Sequence, residues 1–129
     1  MRMAGRIVLC IAFCLLTASI ASAQKNAKSK TFHTEGVFSN ITAGEGGDYG
    51  GMQVYLTDSD GQFYVTVTIA EGVLMPPVLV KATVQVEQRK IEFTLGSGED
   101  ARKFTGTVTA DALTLMENGE RHVLKRKCY

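Results

Sequence analysis

Period-two alternation of apolar and polar residues dominates the chain after residue 30. Over residues 78–86, Val78, Val80, Ala82, Val84 and Val86 share one face, and Leu79, Lys81, Thr83 and Gln85 share the other. Over residues 63–69, Phe63, Val65, Val67 and Ile69 stand opposite Tyr64, Thr66 and Thr68. Successive side chains of a strand point to opposite faces, so this pattern predicts half-buried strands and not helices. The Val, Thr and aromatic content suits a pleated surface. The same criterion predicts strands over residues 31–38, 52–57, 62–69, 78–86, 91–95, 103–109, 112–116 and 121–126.

Turn chemistry joins these strands in order. Asp58-Ser59-Asp60-Gly61, residues 87–90, Ala110-Asp111 and Asn118-Gly119 each separate two of them. Asn-Gly is a strong hairpin signal because both positions tolerate positive φ. Setting Thr57 opposite Gln62 places Leu56 against Phe63, Val54 against Val65 and Met52 against Val67, with Tyr55 opposite Tyr64 on the other face. The later turns set Val86 against Ile91, Val84 against Phe93, Val108 against Leu113, Leu113 against Leu124 and Leu115 against His122. A two-residue slip would keep the faces, whereas a one-residue slip would put apolar against polar.

The predicted fold is therefore all-β. A single antiparallel meander of about eight strands closes as a β-barrel, with a two-sheet sandwich as the alternative. The predicted inward set is Phe32, Phe38, Val54, Leu56, Phe63, Val65, Val67, Val84, Ile91, Phe93, Phe104, Val108, Leu113 and Leu124. A barrel of this size is just wide enough for side chains to fill, and five inward Phe predict a packed interior. Gly36 and Gly106 fall inside strands, where a closing sheet bends. The meander is broken by a Gly-rich loop at 39–51, a loop at 70–77 holding Pro76-Pro77, and a polar loop at 96–102.

The N-terminus follows a different rule. Arg2 and Arg6 precede a 12-residue apolar run at 7–18, and Ala21-Ser22-Ala23 fits a small-x-small cleavage site. The run is shorter than the roughly 20 residues of a membrane span. Residues 1–23 thus read as a signal peptide cleaved after Ala23, which predicts an exported protein, periplasmic or extracellular, without a membrane span. Residues 24–30, with three Lys and no acid, read as a flexible basic leader to a single domain over 31–129. Cys10 and Cys14 leave with the signal, so Cys128 remains as a candidate intermolecular thiol for a disulfide dimer.

Charge narrows the partners. The full chain carries 14 basic and 13 acidic residues, and removing residues 1–23 leaves 12 basic residues against 13 acidic. That balance argues against a nucleic-acid partner. The Gly-rich loop lacks the Gly-Lys-Ser/Thr ending of a phosphate loop. Asp58-Ser59-Asp60-Gly61 fails as a calcium loop, because the twelfth position would be Val67 where a bidentate acid is needed. His33 and His122 are too few for a zinc site. Asp58 with Asp60, and Glu117 with Glu120, could pose as carboxylate pairs, but all four read as solvated turn residues. No nucleophile motif is present, and nothing calls for a cofactor. Asn40-Ile41-Thr42 matches a glycosylation sequon, which counts only in a host that glycosylates.

What remains is surface chemistry. Tyr55 and Tyr64, with Asp48 and Tyr49 in the Gly-rich loop, form the candidate surface for a protein, glycan or small ligand. The size, the signal and the Thr-rich hairpins are similar in outline to small periplasmic β-barrel inhibitors and lipocalin-like proteins; the resemblance is architectural and implies the fold alone. The expected function is a non-catalytic exported binding protein, inhibitor-like or adhesin-like. The alternatives are an envelope or assembly component linked through Cys128, and a lipocalin-like carrier of a small apolar ligand.

Overall fold

The computed structural model describes residues 33–129. Residues 1–23, read from sequence as a signal peptide, residues 24–30, read as a leader, and Phe32 lie outside the described residues. The strands are β1 (Gly36–Ser39), β2 (Thr42–Ala43), β3 (Tyr49–Ser59), β4 (Gln62–Leu74), β5 (Val78–Gln85), β6 (Lys90–Leu95), β7 (Arg102–Val108), β8 (Ala112–Glu117) and β9 (Glu120–Lys127), with one 3₁₀ turn at Gly98–Asp100.

All nine strands belong to one antiparallel sheet, ordered β1-β9-β8-β7-β6-β5-β4-β3-β2, and β1 also pairs with β3. That pairing closes β1 and β3–β9 into an eight-stranded barrel, with the two-residue β2 as an added strand on β3. The barrel, not the sandwich, is the architecture. Closure gives every wall strand a neighbour on both sides, with the first half of β5 paired to β4 alone. The turns at 60–61, 86–89 and 109–111 lie at one end, here the upper, with both described termini. The loops at 40–48, 75–77 and 96–101 and the turn at 118–119 lie at the lower end.

Two predicted registers are off by two residues. Asp60-Gly61 alone makes the β3–β4 turn, with φ of 53° and 77°, so Ser59 pairs Gln62, Leu56 pairs Val65 and Tyr55 pairs Thr66. A two-residue primed turn matches strand twist better than the four-residue turn assumed from the Asp-Ser-Asp-Gly cluster. Between β5 and β6, Gln85 pairs Lys90 and Val84 pairs Ile91. Both slips keep every side chain on its predicted face. The β7–β8 and β8–β9 registers match prediction, including Val108 with Leu113 and Leu115 with His122.

Of the predicted inward residues that are described, Phe63 and Val84 are partly buried and pack against the core; the others are buried, joined by Met52, Ala82, Leu95 and Leu115. Phe93 and Phe104 are cross-strand partners whose rings stack with centroids 5.1 Å apart. These side chains fill the lumen, as predicted. Gly106 is inward, and a Cβ there would collide with the Thr114 carbonyl oxygen. Only glycine lets β7 and β8 approach so closely at that bend.

β1 and β2 are one edge interrupted at Asn40. The Asn40 N–H donates to Met52 O at 3.1 Å, and its side-chain Oδ1 accepts from Met52 N at 2.7 Å. The side chain replaces a ladder carbonyl, which ties the sequon asparagine into the sheet.

Candidate functional site

The structure divides the predicted surface. Tyr55 and Tyr64 both point outward, but Tyr55 faces Thr66 and Tyr64 faces Thr57, so they are diagonal and not directly opposite. Tyr55 is 47% exposed and Tyr64 is half-buried. Tyr49 opens β3 at the lower end, opposite Gly72, and Asp48 precedes it in the exposed loop. Six residues of strand, roughly 20 Å, separate Tyr49 from Tyr55. Exposed Cys128 lies at the upper end, beyond β9, and joins neither group.

A segment that the alternation did not single out connects them. Residues 73–79 read Val-Leu-Met-Pro-Pro-Val-Leu, and every one is exposed; Val73 reaches 64% and Leu79 65%. Val73 follows Gly72, the partner of Tyr49. Leu79 pairs Thr66, which in turn pairs Tyr55, so Tyr55, Thr66 and Leu79 form a row across the outside of β3, β4 and β5. The two prolines fix φ and withhold N–H donors, and Met75 N donates back to Ile69 O at 2.8 Å. Residues 75–77 thereby protrude past the ends of the strands, while Val73 and Leu74 close β4 and Val78 and Leu79 open β5 with their side chains exposed. The legible signal was an apolar run astride two prolines where alternation stops.

β5 is staggered against its neighbours. Val78 to Ala82 ladder to β4, whereas β6 receives only Thr83, Val84 and Gln85. The first half of β5, directly after the apolar segment, is thus paired on one side.

A second cluster lies inside the lower mouth. Glu117 was expected to be a solvated turn carboxylate, but it lies on the inward parity of Leu113 and Leu115 and is only 8% exposed. Arg102, assigned from sequence to the polar loop, instead starts β7 and points inward. Its Nε donates to Glu117 Oε1 at 2.6 Å and its Nη2 to Oε2 at 2.9 Å. Its Nη1 reaches Glu71 of β4 at 3.5 Å, and its guanidinium lies 5.6 Å from the Phe104 ring centroid. The bond from Arg102 holds the Glu117 carboxyl below its ordinary range, against an opposing effect of burial. The bond to Glu117 in turn raises Arg102.

His122 is inward, as its parity predicted, but it is not hydrogen-bonded at Nε2. That buried atom lies 3.6 Å from Glu117 Oε2, too long for a hydrogen bond. The bidentate fork, suited to a planar carboxylate, makes this cluster a plug across the mouth and takes up both carboxylate oxygens. Of the other three candidate acids, Glu120 is exposed at the start of β9, and Asp58 and Asp60 sit exposed at the β3–β4 turn, where Asp58 Oδ1 accepts from Gly61 N at 2.8 Å. Among the described residues no group of His, Cys, Asp and Glu could hold a metal ion. A concavity of about 240 Å³, open to solvent, is lined by Thr83, Gln85, Lys90, Ile91, Glu92, Thr105 and Gly106 of β5, β6 and β7. No known protein family, curated protein or solved structure matches the chain.

Proposed function

We propose that the protein is an exported, non-catalytic binding module that engages a partner protein through residues 73–79 and the adjoining Tyr55, Tyr64 and Tyr49. One observation carries this reading. Seven consecutive apolar residues are held in solvent beside a barrel whose own core is already filled. Contiguous exposed apolar surface of this kind marks an interaction site, and the proline pair reduces the ordering cost of binding. The half-paired edge of β5 next to the segment favours a polypeptide partner, since only a backbone can extend a ladder. Export rests on the signal-like N-terminus. A lipocalin-like carrier would need lumen space that Phe38, Phe93 and Phe104 occupy.

The test compares the wild-type chain with a Leu74→Ser, Leu79→Ser variant as bait for envelope and medium proteins of the producing cell. A protein retained by the wild type, lost by the folded variant, and bound again when both purified components are mixed supports the reading. Equal retention by both baits, or turnover of a hydrolase substrate by the purified protein, overturns it.

A further inference from the structure

The near-neutral net charge conceals a segregated surface. On β9, Arg121, Val123, Lys125 and Lys127 are all exposed, while His122, Leu124 and Arg126 point inward. The neighbours of the same parity on β8 are Ala112, Thr114 and Met116, and those on β1 are half-buried Val37 and buried Ser39. None of these carries a negative charge. On β7 the outward charge is Lys103, already paired to Glu92 at 3.0 Å. Of the acids flanking this face, Asp111 and Glu120 lie at the two ends of the strands, and exposed Glu35, two residues before Val37, accepts a hydrogen bond from Asp58 N at 2.7 Å. Among the described residues no ion pair is formed by Arg121, Lys125 or Lys127. Arg121 and Lys127 are six residues apart, so the basic row runs roughly 20 Å along the strand.

Apolar side chains interleave with these cations. Val123 stands between Arg121 and Lys125 at 43% exposure, and Met116, cross-strand partner of Arg121, is also exposed. In the strand order β9 lies across the barrel from β4 and β5. The basic row and the apolar segment 73–79 therefore occupy opposite sides.

We infer that the outer face of β8, β9 and β1 docks on an anionic lipid surface. Cations alone would serve any polyanion. Exposed Val and Met between them gain nothing from a soluble polyanion, whereas the headgroup boundary of a bilayer accommodates both charge and apolar atoms. Docked this way, the protein turns residues 73–79 away from the membrane and toward a soluble partner. The inference uses none of the residues in the proposed protein-binding site, so each can fail alone.

The test is co-sedimentation of residues 24–129, which contain the whole closed barrel, with phosphatidylcholine vesicles and with vesicles of equal parts phosphatidylcholine and phosphatidylglycerol. Binding to the anionic vesicles only, weakened by salt, is expected. Each basic residue near such a surface contributes about fivefold, so Arg121→Gln, Lys125→Gln, Lys127→Gln together should weaken binding roughly a hundredfold. These side chains point outward, and an unchanged circular dichroism spectrum verifies the fold. Val123→Ser with Met116→Ser should weaken vesicle binding and leave retention on soluble dextran sulfate unchanged. A control with Lys81→Gln, on β5, should bind like the wild type. Retention on dextran sulfate without vesicle binding, or undiminished vesicle binding by the triple variant, overturns the inference.

Discussion

The guanidinium of Arg126 lies 4.5 Å from the centroid of the Phe38 ring and seals the upper end of the barrel. It donates to Ala110 O and Glu35 O at 2.6 Å each, to His33 O at 2.7 Å and to Thr109 O at 3.2 Å. One inward side chain thus ties β1, the chain before it and the β7–β8 turn together. A Cβ on Gly36 would occupy the space of that guanidinium. Lysine has a point charge and no planar fork. Arg126→Lys should therefore lose about 2 kcal/mol, a value for hydrogen bonds from a charged donor discounted for partial exposure. The check is the urea midpoint at unchanged slope; a shift equivalent to under about 0.5 kcal/mol would show that the carbonyls are equally well served by water.

Gly106 makes a sharper demand. A methyl group there meets the Thr114 carbonyl, a backbone atom locked in the β7–β8 ladder. Gly106→Ala should cost at least about 2 kcal/mol, the range of overpacking in a rigid core. Gly61, with φ of 77° and nothing near its missing Cβ, should cost only about 1 kcal/mol as Gly61→Ala, through backbone strain. Thermal melts of the two variants side by side decide the order.

The faces of the strands were legible because side-chain period is insensitive to a two-residue slip. Val54, Val65 and Ile91 are inward in either register. What periodicity could not set was turn length, and Tyr55 therefore lost Tyr64 as its direct partner to Thr66. The buried polar cluster was legible in part. Glu117 and His122 share parity with Leu115 and Leu124, but a carboxylate is buried only when a cation reaches it. That cation, Arg102, lies 15 residues away in the chain. The apolar run at 73–77 escaped because alternation has nothing to say where it stops, and Leu79 escaped because alternation set it among the polar residues of its strand.

Core and surface aromatics should respond differently. Phe93 is buried against Phe104, and Phe93→Ala should cost about 3–5 kcal/mol. Tyr55 is exposed beside Thr66, and Tyr55→Ala should cost under about 1 kcal/mol, the scale of a cross-strand pair, while weakening partner capture. If denaturation shows the two costs equal, the outer face of β3 is covered by something the isolated barrel lacks.

Acid should unfasten the lower mouth. Arg102 holds the Glu117 carboxyl below the ordinary glutamate value near about 4.3, and a charged His122 imidazole pulls in the same direction. The folded state then binds this proton less readily than the unfolded chain. The pair accordingly stabilises the fold fully above the unfolded value, and that contribution is lost as pH falls through the depressed folded value. Glu117→Gln removes the charge and keeps the shape. At neutral pH it should be less stable than the wild type by about 2 kcal/mol, because Gln offers Arg102 one neutral acceptor in place of two charged ones and leaves only exposed Glu71 as an ionic partner. The gap should close as pH falls below about 4. Urea midpoints of both proteins across that range measure it. A gap independent of pH would mean that Glu117 is held by packing and not by the charge on Arg102.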